Sequence, residues 1–406
     1  MKNLAKKLEI VSFGCRLNTV DSENLAQDYA FENQKSNSTI LINTCAVTAE
    51  AVRQATQSIR RAHRENPEAE IIVAGCAARI EPEIFENIPG VSKVLRDQLP
   101  MQARVASEGT RGLLAIQNGC DHQCTFCIIP QGRGPSRSTS SSEVLHKVKH
   151  LLEIGKKEIV LTGVDLTSYQ QEGLSLGALV KLILKKFPEL PRLRLSSIDC
   201  VEADDQLLQM FAEDERLCPH LHLSLQSGND LILKRMKRRH LRADSIEFCA
   251  NLRKARPDII FGADFIVGFP TETDEMFADT CKLVEECELT YLHVFPFSPR
   301  PETPAAKMKQ TARSITKIRS EKLRRLATQK KLDHLNKCIG KTFRFLTEKG
   351  GMARAPNFSL AKTPGKPAGV FLDMQVIAHD GQTLIISLNS LLSQRREIHR
   401  SYIHDL

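Results

Sequence analysis

The 406-residue sequence predicts an α/β chain in three parts: an N-terminal α/β three-cysteine domain (residues 1–105), a partial (βα)6 barrel (106–338) and a small all-β barrel (339–406). Three observations predict it. Apolar runs near the N-terminus each stop at a cysteine and lead into a helix-forming stretch. The middle of the chain repeats a strand–helix pattern. The C-terminal end changes to short β-like runs broken by glycine and proline, with a surplus of positive charge.

The N-terminal runs are Leu8-Glu-Ile-Val-Ser-Phe, Thr39-Ile-Leu-Ile-Asn-Thr and Glu70-Ile-Ile-Val-Ala-Gly. Short runs rich in Ile and Val, followed by helical stretches such as 46–64, read as buried parallel strands. They end at Cys15, Cys45 and Cys76. Sites in open α/β sheets form beyond the carboxyl ends of strands, so these thiols are expected to converge.

The barrel pattern opens with Glu158-Ile-Val-Leu-Thr-Gly and the amphipathic stretch 176–187. Leu193-Arg-Leu-Ser-Ser-Ile, His220-Leu-His-Leu-Ser-Leu, Ile259-Ile-Phe-Gly-Ala-Asp-Phe-Ile-Val-Gly and Tyr291-Leu-His-Val-Phe continue it. Alternating βα units imply a parallel sheet whose chemistry sits at the strands' carboxyl ends, here 162–165, 196–199, 226–228, 267–268 and 295–298.

Near the start of the second part lies Asn118-Gly-Cys-Asp-His-Gln-Cys-Thr-Phe-Cys, which places Cys120, Cys124 and Cys127 in Cys-x3-Cys-x2-Cys spacing. Thiolates select iron–sulfur clusters, zinc or copper(I) over hard cations. A structural zinc or an ordinary four-iron cluster would take a fourth protein ligand. Three ligands on four irons leave one coordination position open for chemistry. A zinc loop or buried free thiols are the plainer alternatives.

This spacing, with Phe126 before the third cysteine, resembles the radical S-adenosylmethionine (radical SAM) superfamily. With the second triad added, nearly the whole chain resembles the methylthiotransferases of that superfamily. The wording is most similar to the tRNA enzymes acting on N6-threonylcarbamoyladenosine (t6A), in Phe13-Gly-Cys-Arg-Leu-Asn, Asn43-Thr-Cys-Ala-Val-Thr, Gly132-Arg-Gly-Pro-Ser-Arg-Ser, Ser224-Leu-Gln-Ser-Gly and Pro296-Phe-Ser-Pro-Arg-Pro-Glu-Thr-Pro-Ala. The sister enzyme for N6-isopentenyladenosine carries Tyr-Gly-Cys-Gln-Met-Asn at the first cysteine, and the relative that modifies a ribosomal protein a Gly-Cys-Pro-Lys-Asn type segment. Arg16 and Leu17 fit neither. Two departures stand near the expected substrate mouth: Gln131 replaces the family's aromatic in Ile128-Ile-Pro-Gln-Gly, and the linker 94–112 is shorter than the resemblance leads one to expect.

The resemblance implies two 4Fe-4S clusters, one on Cys120, Cys124 and Cys127 and one on Cys15, Cys45 and Cys76. It implies S-adenosylmethionine at the open iron, with Phe126 nearby, Thr162 and Gly163 at its amino group and Gly268 near its adenine. Gly163 and Gly268 also have the plainer readings of a turn and a close contact. The implied reaction cleaves S-adenosylmethionine to a 5′-deoxyadenosyl radical, removes hydrogen from carbon 2 of the adenine, and delivers a methylated sulfur through the second cluster. No catalytic residue beyond the cluster ligands is implied, since an aromatic C–H offers nothing to acid–base catalysis. An electron donor such as flavodoxin or ferredoxin is implied too.

Charge points to the partner. Residues 301–406 hold 20 Lys and Arg against 8 Asp and Glu, a balance of +12 in a chain of +9, which leaves −3 for the rest. Part lies in the stretch 317–337, equally readable as a solvated helix face. The remainder falls on β-like runs broken by Gly350-Gly351 and Thr363-Pro-Gly-Lys-Pro, similar to the RNA-binding TRAM module found here in the family. The cluster Lys234-Arg-Met-Lys-Arg-Arg239 is a second candidate for RNA or for plain solubility.

No stretch approaches the roughly 20 apolar residues that span a bilayer, and residues 1–7 precede no apolar signal region. Twelve cysteines without such a signal suggest a reducing, cytoplasmic setting. Cys200, Cys218, Cys249, Cys281, Cys287 and Cys338 lack ligand spacing and read as packing residues. The rivals are a methylthiotransferase for N6-isopentenyladenosine tRNA or a ribosomal protein, another radical SAM enzyme, and a non-enzymatic RNA-binding iron–sulfur protein.

Overall fold

Strand register explains how cysteines about thirty residues apart reach one edge. The computed structural model describes residues 8–32, 38–97 and 103–387. The N-terminal sheet is parallel, in the order β1 (Leu8–Ser12), β2 (Thr39–Thr44), β3 (Glu70–Gly75), β4 (Val91–Val94). Ser12 pairs with Asn43 and Thr44 with Gly75, so the first three strands end at one level. Both faces of β2 are covered. Ile40 and Ile42 pack with Val52, Ala55 and Ile59 of the helix Ala49–Glu65, while Leu41 packs with Ala26 of the helix Arg16–Glu32. Thr48 caps the first of these helices by accepting the Ala51 N–H at 3.1 Å.

The middle of the chain folds as expected. β5 (Arg104–Ala106) runs antiparallel to β6 (Gly112–Ala115), which begins a parallel series. β7 (Gln117–Asn118) and β8 (Arg137–Ser138) form a separate two-stranded pair. The series continues through β9 (Glu158–Thr162), then β10 (Arg192–Leu195) and β11 (Ser197–Ile198), which are one strand interrupted at Ser196. β12 (His220–Gln226), β13 (Ile260–Val267) and β14 (Tyr291–Pro296) complete a six-stranded partial barrel. Ile159, Leu161, Leu193, Leu195, Leu221, Leu223, Ala263 and Phe265 share one core with the surrounding helices. Side chains alternate along a strand, so Glu158, Arg194, His220, His222, Asp264 and His293 face the lumen.

The helix Arg313–Cys338 covers β14 and leads into a closed barrel of β15 (Thr342–Glu348), β16 (Met352–Arg354), β17 (Leu360–Lys362), β18 (Phe371–His379) and β19 (Leu384–Ile386). Phe345, Met374, Val376 and Leu384 fill it, together with Leu335 and Cys338 of the helix. The C-terminal charge is divided between the small barrel and the helix that leads into it. Arg354 pairs with Glu348 at 3.0 Å, and Arg192 of the large barrel donates to the carbonyls of Arg344 and Arg354. The joint between the barrels thus uses the backbone carbonyls of these two arginines, and the Arg344 side chain stays exposed. Exposed cations stand on the small barrel at Lys341, Arg344, Lys349, Lys362 and Lys366, and line the helix at Arg313, Lys317, Lys322, Arg324, Arg325 and Lys337. Arg395, Arg396 and Arg400 lie outside the described residues.

Candidate metal centres

The first triad occupies the excursion between β7 and β8. Its backbone is tied at several points. The Cys120 N–H donates to Gly134 O at 3.1 Å, the Cys127 N–H to Cys124 O at 3.1 Å, and the Thr125 N–H to Met236 O at 3.1 Å. Burial pushes the Cys127 thiol up to about 12, and the neighbouring Cys124 and Cys120 add to the effect. Arg238 is fixed by Asp199 and the Ser224 carbonyl, both at 2.7 Å, and holds Nη1 3.7 Å from the Cys124 sulfur. Cys120 Sγ lies 3.9 Å from Asp165 Oδ2, and His122 stands 3.3 Å from both Asp165 and Glu202.

The second triad is assembled from strand ends. Cys15 is exposed, while Cys45 and Cys76 are buried. Gly14 has φ +96°, and a Cβ there would sit 2.8 Å from Cys45 Cβ, so only glycine lets the turn bearing Cys15 approach Cys45. Buried polar groups then lock the turns together. Asn18 donates to Phe13 O at 2.7 Å and Thr44 O at 3.0 Å, and Asn43 donates to Asn18 O and Ser22 Oγ, both at 2.9 Å. Thr44 Oγ1 donates to Ala74 O at 2.7 Å and accepts the Ala78 N–H at 3.1 Å. Burial raises the Cys45 thiol to about 11, with Cys15 and Cys76 as its acidic neighbours.

One short helix joins the two sites. Ile129–Arg133 begins two residues after Cys127 and packs on Cys76, where a Cβ on Gly132 would meet Ile80 Cδ1 at 3.0 Å and Cys76 Cβ at 3.4 Å. Arg133, 2% exposed, pairs with Asp21 at 3.0 Å, and Asp21 also pairs with Arg104 at 2.9 Å. Burial opposes the charge on Arg133, but Cys76, Asp21 and Cys15 outweigh it and raise its pKa. The N-terminal domain also reaches the far side of the barrel mouth. The Ala49 N–H donates to Ser298 Oγ at 3.0 Å, and Arg300 pairs with Glu81 at 2.5 Å.

The donor chemistry suits thiolate-bound clusters. In each group the thiols are one another's acidic neighbours, with one arginine (Arg133 or Arg238) to offset thiolate charge. Buried thiols with pKa values of 11 to 12 stay protonated at neutral pH, and a bound metal inverts this by taking the thiolate outright. A tighter set, Cys120, His122 and Asp165, has its ligand atoms within 4.8 Å of one another but uses only one of the three thiols. Cys200, Cys249 and Cys287 lie in the main core and Cys338 in the small-barrel core, with Cys281 packed against the former and Cys218 fully buried.

Thr162 ends β9, buried, with Gly163 directly after it. A Cβ on Gly163 would come 2.8 Å from Gln117 Oε1, the atom that accepts the Val164 and Asp165 N–H groups at 2.9 Å. Gly268 has φ +72° and abuts Thr316, and its N–H donates to Glu272 at 2.8 Å. Phe126 packs with Ile232, Met236 and Phe269. Sequence reasoning passed over Asn18, Asp21, Asn43, Thr44, Arg133 and Arg238. Five of these, all but Asp21, lie inside segments already quoted, so a signal existed, but nothing in a segment says which polar side chains point inward. A cleft of about 420 Å³ lined by Pro219, Lys337 and Asn357 contains none of the six cysteines, so volume does not locate the chemistry.

Comparison with known proteins agrees with this geometry. Residues 114–284 match the radical SAM superfamily, and residues 7–95 match an uncharacterized protein family, UPF0004. A threonylcarbamoyladenosine tRNA methylthiotransferase from Rickettsia prowazekii is 44% identical over 86% of this chain and 90% of its own. Its counterpart from Thermotoga maritima is 34% identical over 84% and 87%. A tRNA-2-methylthio-N(6)-dimethylallyladenosine synthase from Rickettsia rickettsii is 32% identical over 89% and 92%. In fold, the chain is similar to the radical S-adenosylmethionine methyltransferase TsrM from Kitasatospora setae with cobalamin and a [4Fe-4S] cluster bound, at TM-score 0.51 and 13% identity over 74% of this chain and 77% of that one. The chain belongs to the radical SAM tRNA methylthiotransferases.

Proposed function

We propose that the protein converts N6-threonylcarbamoyladenosine in tRNA to its 2-methylthio derivative. The observation that carries this reading is the meeting of two three-thiol sites across the helix Ile129–Arg133, in a chain 44% identical to a relative named for that substrate. Cys120, Cys124 and Cys127 would hold one 4Fe-4S cluster, and Cys15, Cys45 and Cys76 the second. With S-adenosylmethionine bound, such clusters supply the one-electron chemistry that makes an aromatic C–H reactive.

The chain's own residues do the positioning. Arg238 and Arg133 offset thiolate charge, and the latter fixes the separation of the two sites by tying the cysteine loop to the helix Arg16–Glu32 through Asp21. Phe126, Thr162, Gly163 and Gly268 would border the S-adenosylmethionine at the barrel mouth. We take residues 1–105, 106–338 and 339–406 as the three domains. The small barrel, together with the exposed cations of the helix Arg313–Cys338, would meet the tRNA backbone, giving affinity without sequence choice. A flavodoxin or ferredoxin would supply electrons in the cytoplasm. No helix of the described residues is long and apolar enough to cross a membrane.

The test is mass spectrometry of tRNA nucleosides from cells with and without the protein. Loss of the 2-methylthio derivative, with t6A accumulating, supports the reading. Loss of the isopentenyl analogue instead would move the substrate, and no change in any methylthio nucleoside would point to a ribosomal protein.

A further inference from the structure

The barrel lumen holds more guanidinium charge than its carboxylates balance. Glu158 pairs with Arg194 at 2.7 Å, Arg192 at 3.5 Å and Arg111 at 3.8 Å. Glu348 of the small barrel pairs with Arg111 at 3.1 Å and Arg354 at 3.0 Å. Phe358 stands at the centre of this floor. The Cζ atoms of Arg354, Arg194, Arg16 and Arg111 lie 4.4, 5.3, 5.7 and 5.9 Å from its ring centroid, and His220 stacks on it at 4.5 Å. Four arginines thus share two carboxylates, and a fifth, Arg16, pairs with neither.

Three of the five are incompletely partnered, and Arg111 is one, its buried Nη1 lacking a hydrogen-bond partner. Arg194 is fully buried, yet its Nη1 has no hydrogen-bond partner, and the same holds for His220 Nδ1 beside it. The Arg16 guanidinium makes no hydrogen bond or ion pair among the described residues, only the contact with the Phe358 ring. Such a set lacks an anion. The way in is open, since the Asp264 and His293 side chains on the lumen wall are 23% and 61% exposed. Arg16 directly follows Cys15, so a group held there is brought beside the strand-end triad.

We propose that Arg16, backed by Arg194, receives the carboxylate of the threonyl group of the substrate nucleoside. The assignment rests on the t6A reading above and deepens it. A planar guanidinium matches a carboxylate with two parallel hydrogen bonds. An apolar substituent would leave these buried donors unpaired, the arrangement that discriminates most strongly between ligands.

The test measures binding of the cluster-loaded, full-length protein to tRNA bearing t6A, to the same tRNA with the threonyl carboxylate converted to a primary amide, and to tRNA with unmodified adenosine. Wild-type protein is expected to bind the amide about tenfold or more weakly than the acid, the loss of one charge-assisted pair. Arg16→Gln should bind acid and amide alike, and Arg16→Lys should restore part of the difference, which a folding defect would not. The assignment is overturned if wild-type protein ignores the amide change or if Arg16→Gln still discriminates. It is equally overturned if Arg16→Gln weakens unmodified tRNA to the same extent, the mark of a backbone-phosphate contact. A wild-type enzyme that forms the methylthio product but ignores the amide refutes only the Arg16 assignment. One that forms no product on t6A refutes the substrate reading and this assignment with it.

Discussion

The loop triad takes its thiols from the eight residues 120–127, tied by backbone hydrogen bonds between β7 and β8. The strand-end triad takes one thiol from each of three parallel strands and depends on Asn18, Asn43, Thr44 and Arg133 to hold them. A loop can be built by local sequence. A site spread over three strands is a property of the sheet, of its register and of the buried polar groups at its edge. The two should therefore fail differently.

The largest expected effects are all-or-none. Cys124→Ala should abolish reductive cleavage of S-adenosylmethionine and leave about half of the bound iron, on the ligand count argued above. Cys45→Ala should keep most of that cleavage and lose methylthiolation. Iron analysis, a cleavage assay and product mass spectrometry on both variants check the pair. Full product formation by Cys45→Ala would end the reading of the strand-end triad as a second cluster site.

Next comes the polar web centred on the strand-end triad. Asp21→Ala would strand Arg133 and Arg104, each at most 4% exposed, without a carboxylate. Breaking a buried pair in this way costs about 3–5 kcal/mol. A lower urea midpoint is expected, with iron lost from the strand-end site before the loop. Equal loss from both sites would mean that Arg133 serves the two alike.

These two cases also show how far the sequence could be read. The loop triad is legible because its spacing lies on one segment. The strand-end triad is legible only by assuming that three apolar runs are adjacent parallel strands in register, which the pairs Ser12–Asn43 and Thr44–Gly75 satisfy. The barrel follows from repeated βα units. Asp21 could not be found: it sits in a helix whose apolar periodicity is faint, and its partners are 83 and 112 positions away. The duty of the C-terminal cations was also hidden, since composition cannot separate Arg354, paired with Glu348, from Arg324, exposed on the helix.

Acid separates the two scaffolds further. Glu158, on β9 of the barrel that carries the loop triad, is fully buried. Burial alone would raise its pKa, but Arg194, Arg111 and Arg192 outweigh it and hold the carboxyl at about 2. The unfolded carboxyl titrates near 4.5, so the stability this web contributes is complete above that pH and is lost as pH falls toward about 2. Hydrogen exchange should therefore rise at β9 and β15 before β2 and β3 across that window. Glu158→Gln should remove most of the pH dependence, and an unchanged acid slope would mean that other carboxylates control it.

The smallest effect probes the contact between the two sites. A methyl group at Gly132 would stand 3.0 Å from Ile80 Cδ1 and 3.4 Å from Cys76 Cβ. The Ile80 terminus can rotate away, but Cys76 opens the helix Cys76–Ile80 and cannot retreat without moving the end of β3. Overpacking of this kind costs about 1–3 kcal/mol, less than breaking the Asp21 web. Since the strain is applied to Cys76, Gly132→Ala should lower iron occupancy at the strand-end triad and leave the loop triad and S-adenosylmethionine cleavage intact. If both sites lost iron together, the helix Ile129–Arg133 would be a shared support for the two triads, and the independence argued from their construction would be wrong.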